Sequence, residues 1–302
     1  MMTRAVVAAV VFLFSAAQPI HAQGEDAAAY PSRTVRLIVP AAPGGPIDAV
    51  ARIVGDALKA AWPVPVVVEN KPGAGTSTGG VFVAQSAPDG YTLLVNPDSI
   101  AVNPSLYPNL GYDPIRSFEP VSLLCTATQV LVVRPDLGVS SLKEFIALAK
   151  SKEAGLNIAS AGPGTISHLT GVLLELRSDF KTTHVPFRGA APALSAMLGG
   201  HVDGMWVMLA PAVPTTGESG VSDFQVENWQ ALFAPAGTPK PIVDKIARTV
   251  AEVLHKPEIA GRMRALGFEP RGDAGALVTA LIRDSLPKWA EVVERANIKA
   301  QQ

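Results

Sequence analysis

Short apolar runs alternate with amphipathic stretches along the first third of the chain. Residues 35–39 (VRLIV), 64–68 and 91–95 (YTLLV) are rich in apolar side chains, which is typical of buried strands in a parallel sheet. Residues 48–60 carry apolar side chains at helical spacing, and residues 78–86 fit a shorter helix of small residues. This β-α-β-α-β order predicts a parallel sheet with helices on its faces.

The same alternation returns in the second half. Strands are predicted at residues 156–159, 184–187 and 202–208. The predicted helices are residues 141–150, 166–176, 190–198, 238–254, 257–266 and 274–297. Two β-α-β sets of the same style predict an α/β fold of two similar lobes, each a mainly parallel sheet flanked by helices.

The composition is that of a globular protein. Of the 302 residues, 48% are hydrophobic and 17% are charged, and the formal net charge is −1. No basic run marks a surface for nucleic acid, so no nucleic-acid partner is expected. The chain has one cysteine, Cys125, which excludes an intrachain disulfide, and the preceding Leu123 and Leu124 indicate a buried thiol.

The N-terminus has the pattern of a secretory signal peptide. Arg4 precedes an apolar run at residues 5–17, and the small residue Ala22 precedes Gln23. Residues 1–22 are therefore predicted to be cleaved, which would deliver the mature chain to the periplasm. An uncleaved membrane anchor is the alternative, but the run is short for a span.

The loop after the first predicted strand is rich in glycine. In a parallel sheet, ligands bind beyond the carboxyl ends of the strands and against helix N-termini. Residues 40–48 contain Gly44 and Gly45, which let the backbone come close to a ligand, and free amide groups at the next helix suit an anion. Asp48 either stabilises the helix dipole or contacts the ligand, and both interpretations stay open.

The loop at residues 70–79 also contains glycines, together with the hydroxyls of Thr76 and Ser77. It matches neither of the common phosphate-binding spacings, so an ordinary connecting loop is an equal alternative.

A third loop, residues 160–168, follows a predicted strand and opens a helix. Ser160, Thr165 and Ser167 are able to donate to a carboxylate beside backbone amide groups. His168 either contacts the ligand or packs against the sheet.

Two further residues are candidates for ligand binding, and each also fits an ordinary structural role. Arg188 suits bidentate pairing with a carboxylate, but it fits equally a solvated loop tip. Asp203 is a lone acid in a predicted strand, where a paired structural acid is the commoner role. The five histidines and Cys125 show no metal-ligand spacing, so the sequence predicts neither a metal nor a cofactor, and no enzyme is predicted.

Many of these segments, taken in order, resemble the substrate-binding receptors of tripartite tricarboxylate transporters, often called the Bug family. The matching stretches include YPSRTVRLIVPAAPGGPIDAVAR, VVVENKPGAGTSTGG, LNIASAGPGTISHL, HVPFRGAAPAL and LFAPAGTPKPIVDKI. The resemblance implies a two-lobed periplasmic-binding-protein-like fold of type II, with a small carboxylate held in the cleft between the lobes. It places residues 23–126 plus 233–302 in lobe 1 and residues 127–232 in lobe 2.

The resemblance also implies which residues line the cleft. The loops of lobe 1 would form one side of it, and residues 160–168 would form the other, with Phe187 and Gly189 nearby. Asp203 would lie near the cleft floor. The ligand-binding candidates are Ala42, Gly44, Gly45, Asp48, Thr76, Ser77, Ser99, Ser160, Gly162, Thr165, Ser167, Arg188 and Asp203.

The chain departs from the family pattern at two places. Asp98 stands where relatives usually have small or hydroxyl residues, so it puts an unexpected negative charge beside the predicted cleft. The stretch from Leu209 to Phe224 is shorter than in relatives, so lobe 2 is predicted to lack one strand, which would expose a sheet edge.

Three hypotheses follow. The first is a periplasmic, monomeric receptor that captures a di- or tricarboxylate or related organic acid, and delivers it to a membrane transporter or a sensor protein. The second is a secreted α/β enzyme. The third is a degenerate relative whose shortened lobe 2 no longer binds ligand.

Overall fold

The architecture is described from a computed structural model, which covers residues 27–152, 155–187, 189–209, 224 and 226–299. The predicted signal peptide at residues 1–22 lies outside the described residues. Within the described residues, no helix is long and apolar enough to cross a membrane.

The strands of the described residues belong to one sheet. They are β1 (Val35–Val39), β2 (Val66–Asn70), β3 (Thr92–Pro97), β4 (Phe118–Val133), β5 (Asn157–Ser160), β6 (Thr183–Pro186), β7 (Gly204–Leu209), β8 (Glu227–Pro235) and β9 (Glu269–Ala274). The order across the sheet is β2-β1-β3-β8-β4-β7-β5-β6, and β9 also pairs with β4.

The helices lie between these strands and after them. They are α1 (Pro46–Ala61), α2 (Ser77–Ala84), α3 (Ser99–Leu106), α4 (Leu142–Ser151), α5 (Ile166–Ser178), α6 (Ala190–Leu198), α7 (Lys240–Leu254), α8 (Pro257–Ala265) and α9 (Gly275–Arg295). Short 3₁₀ turns cover Ala74–Thr76 and Pro135–Leu137. The predicted elements are present, with ends displaced by one to a few residues.

Two parallel sets form the ends of the sheet. On one side β1 pairs in parallel with β2 and β3, and on the other β5 pairs in parallel with β6 and β7. These sets confirm the predicted α/β class and its two β-α-β series. Because each set is parallel, its strands all end at the same edge, where the loops that follow them gather.

The middle of the sheet is antiparallel, and the sequence pattern did not predict it. The first half of β4 pairs with β8 and β9, whereas its second half pairs with β7. Strand β4 therefore passes from the first set to the second. Strand β8 pairs antiparallel with β3 and β4 and leads the chain back to the first set. The predicted lobe boundaries at 126/127 and 232/233 fall inside these two crossing strands, and they stay a prediction.

Apolar packing joins the two sets as well as filling each one. A core cluster combines Val102 of α3, Ile166 and Leu169 of α5, and Trp289 of α9, all of them buried. Cys125 is buried in β4, as predicted. The predicted shortening of lobe 2 falls mainly on residues 210–223, outside the described residues, so the missing strand also stays a prediction.

Candidate ligand-binding site

The loop between β1 and α1 is held in shape by Asp48. Its buried carboxylate accepts hydrogen bonds from the Gly44 amide (2.8 Å), from Arg52 Nε (2.8 Å) and from Asn70 Nδ2 (2.8 Å). Asn70 also donates to the carbonyl of Ala41 at 3.0 Å, so the acid and the amide tie both ends of the loop together. Burial acts to raise the pKa of Asp48, but the bonds from Arg52, Gly44 and Asn70 outweigh it and hold that pKa below its ordinary value.

This arrangement gives Asp48 protein partners on both of its oxygens. Its position in the first turn of α1 also matches the helix-dipole interpretation. Ala42 and Gly44 are exposed at the tip of the loop, and Gly44 adopts a φ of +84°, which suits glycine. The exposed tip of the loop therefore presents backbone groups to solvent, while the Asp48 carboxylate lies buried at the base of the loop. Gly45 is the N-cap of α1.

Thr76, Ser77 and Ser99 come together around one buried amide. The hydroxyl oxygens of Thr76 and Ser99 are 2.8 Å apart, although they belong to different loops. Asn103 Nδ2 donates to the carbonyl of Gly75 at 2.8 Å and lies 3.2 Å from the oxygens of Thr76 and Ser77. The sequence did not predict a role for Asn103, whose only distinguishing feature is that it is a polar residue buried in α3.

Thr76 also carries backbone strain. Its φ is +83°, in the left-handed region that β-branched residues rarely occupy. Such a conformation costs on the order of 1 kcal/mol and is often found at functional sites.

The loop between β5 and α5 is a compact hydrogen-bonded unit. The Gly162 amide donates to Ser160 Oγ at 3.1 Å, and the Ala161 amide donates to Ser167 Oγ at 3.1 Å. Thr165 Oγ1 donates to the carbonyl of Gly162 at 2.7 Å and lies 2.9 Å from Ser167 Oγ. The sequence predicts free amide groups at such turns. These two are instead paired with nearby hydroxyls, because short polar side chains readily reach back to the local backbone.

Two histidine rings support this loop from behind. The rings of His168 and His184 stack with 3.7 Å between their centroids and 10° between their planes. His168 Nδ1 accepts the Gly164 amide at 3.1 Å, and His184 Nε2 lies 2.6 Å from Ser160 Oγ. Burial, together with the charge of His184, lowers the pKa of His168 to about 4, and burial lowers the pKa of His184 as well. Both rings are therefore neutral at pH 7, and His168 takes the packed role.

The β5–α5 loop lies against the first set of elements. A Cβ atom on Gly164 would come within 2.7 Å of Leu106 Cδ1 at the end of α3, and Gly164 has a φ of +73°. Since α3 begins at Ser99 and ends at Leu106, one helix connects the Thr76–Ser99 hydroxyl pair to the β5–α5 loop.

Asp98 is buried where the β3–α3 loop meets the crossing strands. Its carboxylate accepts Asn228 Nδ2 of β8 at 2.9 Å, and its amide donates to the carbonyl of Trp229 at 3.1 Å. Asn228 in turn accepts a hydrogen bond from Gln129 of β4. Burial raises the pKa of Asp98 to about 7, against the bonds from Trp229 and Asn228 and the charge of Lys288.

The structure does not bring Asp203 together with the other candidates. Its carboxylate accepts Arg134 Nη2 at 2.9 Å and the amide of Asn157 at 2.8 Å. Burial acts to raise the pKa of Asp203, but these two bonds outweigh it and keep that pKa low. Asn157 begins β5 and Ser160 ends it, so Asp203 lies at the amino edge of the parallel set, opposite the edge that carries the β5–α5 loop. The predicted place of Asp203 near the cleft floor stays a prediction.

Arg188 lies outside the described residues and stays a prediction. Its neighbours lie beside the β5–α5 loop, because the Phe187 amide donates to the carbonyl of Ser160 and the Gly189 amide donates to the carbonyl of Ala161. Among the described residues, no three histidine, cysteine or acidic side chains are grouped to hold a metal ion.

Known proteins share both the sequence and the fold. The chain matches the family described as "Tripartite tricarboxylate transporter family receptor" over residues 50–210 and 207–298. Protein BugT of Bordetella pertussis is 32% identical over 327 residues, which cover 99% of this chain and 99% of BugT.

Two solved structures are similar throughout. The periplasmic binding protein BugD is 34% identical with a TM-score of 0.73, and the match covers 90% of this chain and 100% of BugD. MatC from Rhodopseudomonas palustris, solved with bound malate, is 33% identical with a TM-score of 0.71, and the match covers 87% of this chain and 100% of MatC. The α/β periplasmic-binding-protein fold predicted from the sequence is confirmed by these structures, and the chain belongs to the tripartite tricarboxylate transporter receptor family.

Proposed function

We propose that this protein is a periplasmic receptor that captures a small carboxylate between its lobes. The observation that carries the proposal is that two groups of hydroxyls lie in loops that follow parallel strands. One group includes Thr76 and Ser99, the other includes Thr165 and Ser167, and the Gly164–Leu106 contact lies between the elements that carry them. Membership of a receptor family supports the same function, as does the malate bound by the similar protein MatC.

The binding groups come from both lobes. Thr76 and Ser99 offer hydroxyls from lobe 1, and Ser160, Thr165 and Ser167 offer them from lobe 2. A hydrogen bond to a charged group contributes about 1.5–3 kcal/mol, so a few of them, less the cost of ordering, give the roughly −8 kcal/mol of micromolar binding. The amides of Ala161 and Gly162 would exchange their present hydroxyl partners for the ligand.

Ligand binding drives closure in this proposal. Strands β4 and β8 cross between the parallel sets, so bending of these two strands moves one lobe against the other. The closed form is then recognised by a membrane transporter or a sensor protein, and the receptor acts as a monomer without catalysing a reaction. Sequencing the N-terminus of the protein secreted into the periplasm tests the predicted cleavage after residue 22.

Thermal shift with a panel of carboxylates tests the binding function. A ligand present at about 100 times its Kd adds roughly 2.7 kcal/mol, which raises the Tm by about 5 °C for a chain of this size. The panel includes malate, succinate, adipate, citrate, glutamate and lactate, so that charge and length both vary. A flat response to every member would contradict the proposal and favour the degenerate relative.

Substitution of the lobe 2 hydroxyls tests the site. Ser160→Ala combined with Thr165→Ala is expected to weaken binding by on the order of a hundredfold, because two donors to a charged group are lost. Ser151→Ala is the matched control, since it removes a hydroxyl that bonds only to the end of its own helix α4. Equal affinities in both variants would rule out the β5–α5 loop as a binding element.

A further inference from the structure

Asp98 is a buried carboxyl group in a loop that also carries a candidate ligand-binding hydroxyl. Only 5% of the residue is exposed, and the loop joins β3 to α3 at the carboxyl edge of the first parallel set. Its chain neighbour Ser99 places Oγ 2.8 Å from Thr76 Oγ1. The carboxyl group is thus one residue away from the donors that lobe 1 offers to a ligand.

The groups that face Asp98 come from every element around it. Asn228 of β8 donates to its Oδ2, and the backbone amides of Trp229 and Ser99 also stabilise the carboxylate. From α9, Lys288 attracts the carboxylate, although burial lowers the pKa of Lys288 itself. From β4, the buried thiol of Cys125 lies close enough for Asp98 to raise its pKa.

The hydrogen-bond donors to Asp98 hold its carboxyl group in place and are themselves neutral, and the attraction of Lys288 does not outweigh the effect of burial on its pKa. Asn228 is a neutral donor, and its own oxygen is occupied by Gln129 Nε2. Burial raises the pKa of Asp98 to about 7, so its charge changes at pH values near neutrality. A charge that is poorly exposed to water acts over several ångströms with little screening.

We propose that Asp98 is a specificity-determining residue, whose negative charge selects for carboxylates with a single net charge and against those with two or three. The inference rests on the proposed carboxylate-binding function and deepens it. Each additional negative charge on the ligand meets repulsion from Asp98, whereas a neutral amide or an added ammonium group on the ligand does not. Selectivity against dianions therefore increases with pH as Asp98 ionises.

The test compares malate with its monoamide, which have nearly the same shape and differ by one charge. Their Kd values are measured by calorimetry at about pH 6 and about pH 8, on either side of the ionisation of Asp98. In the wild-type protein, the ratio of the malate Kd to the monoamide Kd is expected to rise on the order of tenfold between these pH values. In Asp98→Asn, the ratio is expected to be lower and independent of pH.

Asp56→Asn is the matched control, because it removes one carboxylate from the outer face of α1, where Asp56 is 67% exposed. It is expected to keep the pH dependence of the wild type. Asp98→Ser, which retains a small hydrogen-bonding side chain, serves as a second variant if the asparagine protein does not fold. Binding of both probes with the same ratio in Asp98→Asn and wild type would overturn the inference alone. Absence of binding to any carboxylate would overturn the proposed function and the inference with it.

Discussion

Replacing Asp48 tests whether this residue anchors the β1–α1 loop. Asp48→Ala removes the acceptor for the Gly44 amide, for Arg52 and for one of the two hydrogen bonds that Asn70 donates. Each bond to a buried charge is worth about 1.5–3 kcal/mol in isolation. The total must be smaller than their sum, because Arg52 is 51% exposed and recovers water, and because Asn70 keeps the carbonyl of Ala41. We expect a loss of about 3 kcal/mol in the free energy of unfolding.

The pH dependence of this loss carries the sharper test. The pKa of Asp48 is lower in the folded protein than in the unfolded chain, so the unfolded chain binds more protons at acidic pH. Its stabilisation is therefore complete above the unfolded pKa of about 4 and is lost as the pH falls through the folded pKa. The difference between wild type and Asp48→Ala should be constant from about pH 5 to 8 and shrink below about pH 4.

Urea unfolding followed by circular dichroism at several pH values provides the assay. Asp56→Ala is the control, since it removes an exposed acid from the same helix and should change the free energy of unfolding by less than about 0.5 kcal/mol. A loss below about 1 kcal/mol for Asp48→Ala, or one that stays the same at acidic pH, would refute the anchoring role. The variant should also bind carboxylate more weakly, since the loop tip is no longer fixed.

Two further predictions concern the β5–α5 loop. Gly164→Ala should destabilise the fold by about 1 kcal/mol more than Gly138→Ala, because both positions have positive φ but only Gly164 packs against Leu106. Small-angle scattering should also show a more open protein with Gly164→Ala. Equal effects of the two changes on the free energy of unfolding would contradict this packing role. The pKa of His168 is about 4 in the folded protein, below its value in the unfolded chain, so the unfolded chain binds the proton at a higher pH than the folded protein does. The free energy of unfolding should therefore fall by about 3 kcal/mol as the pH drops from about 6.5 to about 4. His168→Phe should flatten that slope in denaturant titrations, whereas an unchanged slope would show that His184 or other groups dominate it.

The parallel sets were predictable because their signal is local. Short strands followed by a loop and a helix, with glycines in the loops after β1, β2 and β5, are specified within about 30 residues of sequence. The crossing strand β4 lacks such a signal. Ser122, Thr126 and Gln129 are buried within it, so neither a continuous apolar run nor an alternating pattern marks it. Its pairing with β8 also joins residues about a hundred positions apart, which no local pattern encodes.

The candidate site shows the same division. Serines, threonines and glycines at loop positions identify the hydroxyl groups from the sequence, since those residue types suit that geometry. Their supporting partners are distant in the chain: Asn103 reaches back 27 residues to Thr76, and Asn228 lies 130 residues from Asp98. Such contacts depend on the packing of elements, so their residues look ordinary until the fold is known.

Asp48 and Asp203 show why residue type alone does not settle a role. Both are acids near glycines, and both accept a hydrogen bond from an arginine side chain and from a backbone amide. What separates them is the strand edge: Asp48 follows β1, whereas Asp203 precedes β7. Residues that follow parallel strands share the edge where the loops gather, and residues that precede them share the opposite edge. Position relative to the strand therefore carries more information about a binding role here than the identity of the side chain.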